Sequence, residues 1–188
     1  LLAGARSEWR IILAALALAG VAVFVWQGVF NFYELYMQSR GLSPNEASTM
    51  LTIVFAAGIP AFFLAGELAD DLPSVPLLLG IVASFAGCLL LVVAADGLVT
   101  LAIASALTGF VIHALFPATD AYILTALPDS ARGSAYAVFS SVWMLSQSGG
   151  SSAVGELIER GFAYGTVFIA AAVALFATVV VLGGLERA

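Results

Sequence analysis

The stretch IILAALALAGVAVFVWQGVFNFY, residues 11–33, contains no charged side chain. At about 1.5 Å of rise per residue, some 20 such residues cross a hydrocarbon layer of roughly 30 Å, where a charge is costly. Working outward, residues 47–66, 72–95, 97–119, 133–155 and 161–185 are likewise free of Asp, Glu, Lys and Arg. One such window would suit a buried core helix. Six in succession, separated by short charged turns, specify an all-α membrane protein with six transmembrane helices. Any function must therefore concern something that crosses, enters or signals through a bilayer.

Composition narrows the classes further. Hydrophobic residues make up 62% of the chain and charged residues 10%, with mean hydropathy +1.09. A water-soluble domain carries about 25% charged residues. The formal net charge is −6 and lysine is missing, which argues against a nucleic-acid partner and suits a high-salt cytoplasm. Cys88 is the single cysteine, so a disulfide framework and a cysteine-based metal cluster are excluded; a small core residue is expected there. One His, no metalloprotease motif and no phosphate-binding glycine loop leave no catalytic site, cofactor or metal to expect.

The chain reads as a single six-helix transmembrane domain over residues 1–188, with spans at about 9–37, 45–69, 74–95, 97–126, 131–154 and 162–185. With a start at Leu1 rather than Met, the expectation is a piece of a longer polypeptide. Six spans put both termini on one side of the membrane. That side carries Arg6, Arg10, Arg132 and Arg187 against Arg40 and Arg160 on the other, which predicts cytoplasmic termini in a plasma-membrane protein. Ser43-Pro44 with Glu46 reads as a helix start, Asp96-Gly97 as a tight turn, and residues 156–165 as the longest outer connection, with room for a short interfacial helix. Gly66-Glu67-Leu68 recurs as Gly155-Glu156-Leu157, and Arg40-Gly41 as Arg132-Gly133, each displaced by close to half the chain. Three helices separate the copies, so they face opposite sides: the pattern of a 3+3 inverted repeat.

Gly66-Glu67-Leu68-Ala69-Asp70 looks like the G-x-L-A-D start of a transporter loop motif, although Asp71, Leu72 and Pro73 follow where that motif turns basic. Pro128 to Arg132-Gly133 is similar to a P-x-x-x-R-G approach to the fifth helix of a six-helix half, and Arg40-Gly41-Leu42-Ser43 with Glu46-Ala47 to the outer loop after the first. On these residues the chain resembles the C-terminal half of a major facilitator superfamily transporter. The resemblance implies an N-terminal six-helix half, or a second copy, as partner. It also implies a gating role for Gly66, Asp70 and Gly133, with Asp70 set against the N-terminus of another helix; a solvated loop acid is the plainer reading of Asp70.

Polar side chains within spans are expected to face a packed interior or an aqueous cavity. Gln27, Asn31 and Glu34 share one face of the first span, either as a substrate-facing stripe or as interhelical hydrogen bonds with Glu34 at the wet interface. Gly109, His113, Pro117 and Asp120 share one side of the fourth. His113, about 24 Å in from Gly97 at ~1.5 Å per residue, could relay a proton with Asp120, or sit neutral on a backbone carbonyl freed by Pro117. Asp120, about 35 Å in by the same count, falls near the inner interface, where it is expected to cap or pair rather than bind substrate, with Arg132 as its expected partner. In the fifth span Ser140, Trp143 and Gln147 share a face that lines a cavity or packs closely, and Gly149-Gly150 permits close packing or a bend. The function expected is secondary active transport of a small solute by alternating access, with protons the favoured coupling ion and uniport or sodium coupling left open. The alternative is a non-transporting scaffold, assembly or sensor bundle. A transporter half should present Asn31, His113 and Gln147 to one cavity, and a scaffold should bury them in separate helix contacts.

Overall fold

The structure is a computed structural model that describes residues 9–186. Arg6 and Arg187, two of the six arginines used for orientation, lie outside the described residues. Six α-helices follow one another: α1 (Trp9–Ser39), α2 (Pro44–Asp71), α3 (Ser74–Ala94), α4 (Leu98–Ala126), α5 (Asp129–Glu159) and α6 (Tyr164–Glu186). Five of them are long and apolar enough to cross a membrane. The exception, α5, spans 31 residues but spends Ser140, Ser141, Ser146, Gln147, Ser148, Ser151 and Ser152 in its middle. Lack of charge, rather than apolarity, is what marks it as a crossing.

Local sequence chemistry sets the ends. Ser43 Oγ accepts from the Glu46 amide and the Glu46 carboxylate accepts from the Ser43 amide, a reciprocal cap with Pro44 opening α2. Gly41, Gly97 and Gly161 take positive φ at three turns, a region open to glycine without a Cβ penalty. The longest outer connection shrinks accordingly. No separate interfacial helix forms, because α5 continues to Glu159, supported by an Arg160–Glu156 ion pair at 2.8 Å, and stops only at Gly161.

The core centres on α1, which touches all five other helices. Its Tyr33, Tyr36 and Met37 are fully buried with Phe85 of α3 and Phe168 of α6. Ser105 Oγ donates to Leu101 O at 2.7 Å, so the Tyr33 hydroxyl is the donor in its 2.7 Å bond to Ser105. Arg40 ties the end of α1 to the end of α3: it donates to the Tyr36 hydroxyl (2.7 Å), Val93 O (3.0 Å), Ala95 O (2.7 Å) and Asp96 Oδ1 (2.9 Å). A cation at a helix C-terminus meets the carbonyls left unpaired there.

The most intimate packing joins α2 to α4 and α1 to α5. Exchanging the units α1–α3 and α4–α6 interconverts these two pairs, as a 3+3 repeat requires. Each crossing is made by glycine. A Cβ on Gly109 would lie 2.0 Å from Val54 O, and one on Gly150 1.9 Å from Phe24 O. Gly150 therefore serves close packing and not a bend. Apolar clefts repeat the relation, one of about 450 Å³ among α2, α3 and α4 and one of about 600 Å³ among α1, α5 and α6.

Candidate functional site

His113 projects from α4 toward α2, where Gly58 leaves room for it: a Cβ there would meet the ring at 2.5 Å. The imidazole is 9% exposed, and its Nδ1 lies 2.7 Å from Gly109 O. A carbonyl only accepts, so Nδ1 holds the proton; Nε2 has no hydrogen bond among the described residues. Trp26, Phe55, Phe62 and Phe116 surround the ring at centroid separations of 5.7, 5.5, 6.1 and 6.1 Å. The backbone-bonded reading of His113 is the one the geometry favours, with one change. Pro117 frees the carbonyl four residues before it, that of His113 itself, while the acceptor used is a turn earlier.

From Phe116 the aromatic chain runs on to Trp143 (6.2 Å), Phe139 (5.4 Å) and Tyr136 (6.0 Å). Tyr136 then donates its hydroxyl proton to Asp120 Oδ1 at 2.8 Å. These residues come together because α4 and α5, though joined by a short turn, touch sparsely and splay apart. Phe116 and Asp120 stand at i and i+4 on α4; Tyr136, Phe139, Ser140 and Trp143 stand at i, i+3, i+4 and i+7 on α5. Together they line a cleft of about 170 Å³. The pairing of Asp120 with Arg132 is not formed. Arg132 binds Asp129, three residues back on its own helix, at 2.7 Å, and Leu127 O at 3.3 Å. Tyr136, one turn further along α5, reaches Asp120 instead. No relay of hydrogen bonds joins His113 to Asp120.

On α1, Asn31 Nδ2 donates to Gln27 O (2.9 Å) and to Ser151 Oγ of α5 (2.5 Å), and Ser151 donates to Gln27 O (3.3 Å). Asn31 is therefore an interhelical bond at an exposed edge. Glu34 and Gln147 are half-buried and make no side-chain hydrogen bond among the described residues. None of the clefts described above holds Asn31, His113 and Gln147 together. Asp70 is exposed and makes no hydrogen bond or ion pair among the described residues, and no helix N-terminus among them holds it. A Cβ on Gly66 or Gly133 would enter open space. Nothing inside the bundle demands glycine at either position.

The sequence pattern of the Major Facilitator Superfamily matches residues 7–187 of this chain. The chain belongs to the Major Facilitator Superfamily. No curated protein and no solved structure matches it. Membership in this family of transporters, with the apolar helices, makes the chain a multi-pass membrane protein associated with transport of small solutes. Among residues that sequence reasoning passed over in this Major Facilitator Superfamily member, Tyr136, Phe116 and Phe139 stand out. Their signal was present as an aromatic stripe at helical spacing running into Trp143. Ser151, the partner of Asn31, was hidden among the other serines of α5.

Proposed function

We propose that this chain forms one wall of a secondary active transporter that moves a small solute by alternating access. The observation that carries the reading is the α4–α5 cleft in a chain of this family. A half-buried carboxylate, Asp120, near the inner end of α4, meets a continuous aromatic seam, and ionisable groups on spanning helices are rare and mark solute or ion paths. The remaining wall comes from an N-terminal six-helix half or a second copy, in a plasma membrane with cytoplasmic termini. Protons are the coupling ion of this reading, with Asp120 and His113 as the two candidate groups on α4. Gly66, Asp70 and Gly133 remain available to the second wall, since their surroundings in this bundle are open or solvated.

A scaffold is the second reading, and one observation favours it: Asn31 and His113 are tied into separate helix contacts. Reconstitution separates the two. Proteoliposomes containing the full-length protein should take up at least one member of a panel of amines, sugars, amino acids and carboxylates saturably, and an imposed pH gradient should accelerate it. Uptake no faster than in protein-free vesicles across the panel overturns transport and leaves the scaffold.

A further inference from the structure

We infer that the α4–α5 cleft holds the positively charged head of an organic ammonium compound; this substrate class rests on the transport reading above. Charge is the first argument. Asp120 lies within a spanning helix, and the ion pairs of the described residues join Arg40 to Asp96, Arg132 to Asp129 and Arg160 to Glu156, leaving Asp120 without a cation. Its Oδ1 accepts from Tyr136, and Oδ2 has no hydrogen bond among the described residues. Asp120 is half-buried at the wall of the cleft, and the only side-chain partner the described residues give this carboxylate is a phenol.

The walls select the kind of cation. Phe116, Tyr136, Phe139 and Trp143 line the cleft, and aromatic faces attract cations, those of quaternary ammonium groups included. A hard metal ion would need several oxygen ligands, whereas no cluster of three metal-binding side chains exists among the described residues. A sugar would need many hydrogen-bond partners, and the neighbouring Thr119 spends its hydroxyl on Leu115 O at 2.7 Å. Size adds a limit. About 170 Å³ falls below the roughly 300–1,000 Å³ of pockets that enclose a whole drug-sized ligand, so the cleft takes a head group and leaves the rest of the molecule outside. Tyr136 is the only other titratable side chain lining the cleft.

Titration calorimetry on the full-length protein in lipid nanodiscs tests this with choline, tetramethylammonium and 3,3-dimethylbutan-1-ol, the uncharged isostere of choline. The two cations should bind saturably and the alcohol should not. Asp120→Asn should weaken choline binding by about tenfold or more, and Trp143→Leu severalfold, while Asp71→Asn at the exposed end of α2 leaves it unchanged. Asp120→Glu, which keeps the charge, should retain most of the affinity and guards against a loss caused by misfolding. The proposal is overturned if neither cation saturates, if the alcohol binds as tightly as choline, or if Asp120→Asn binds like the parent protein. Choline binding without uptake of any solute would keep the cleft and sink the transport reading. Uptake of other solutes without choline binding would sink the cleft alone.

Discussion

The guanidinium of Arg40 makes four hydrogen bonds, two of them to carbonyls at the end of a helix other than its own. The bond to the Tyr36 hydroxyl, then Asp96 nearby, holds its pKa above the usual arginine value despite partial burial. Charge-assisted bonds of this kind contribute more than neutral ones, and lysine lacks the planar fork that reaches several acceptors at once. Arg40→Ala should therefore destabilise the protein by about 1–3 kcal/mol, seen as a lower Tm in detergent, and Arg40→Lys should recover only part of it. The cap at the start of α2 is tested in the same way: Ser43→Ala removes the hydroxyl that accepts from the Glu46 amide and should lower the Tm in detergent.

At the scale of helices, the glycine crossings are where packing is least forgiving. Val54 O and Phe24 O stand within 2.0 Å of where a Cβ on Gly109 or Gly150 would be. Backbone cannot move aside as a flexible side chain can, and overpacking costs typically 1–3 kcal/mol or more. Gly109→Leu and Gly150→Leu should abolish the monodisperse peak in size-exclusion chromatography, while Gly66→Ala, with open space around it, should elute like the parent. All six helices were legible in the sequence because charge placement and turn chemistry act locally. The reciprocal cap at Ser43 and Glu46 and the turn at Gly97 could be read directly. Partners across helices could not. Asp120 with Tyr136 and Asn31 with Ser151 depend on how two helices splay or cross, which no single-helix periodicity encodes. The C-terminal extent of α5 was missed for a related reason: Glu156 reads as a loop charge until the salt bridge to Arg160 keeps the helix going.

For the molecule as a whole, the transport reading makes a single bundle only one side of a path. Asp120, Trp143 and Ser140 line an open cleft rather than a closed chamber. Residues 9–186 reconstituted without a second bundle should give no saturable solute uptake, and co-reconstitution with the complementary half should restore it. Flux measurements on the two preparations decide the matter; equal uptake by both would mean that one bundle suffices. The paired crossings also bear on how the bundle can move. At Gly109 and Gly150 backbone lies directly on backbone, with no intervening side chains to slide past one another or swap rotamers. Such joints behave as rivets, and two of them, one in each exchangeable pair of helices, fasten the bundle into a single stiff plate. On the transport reading, the plate should tilt as a unit, with flexing left to the seams along its border.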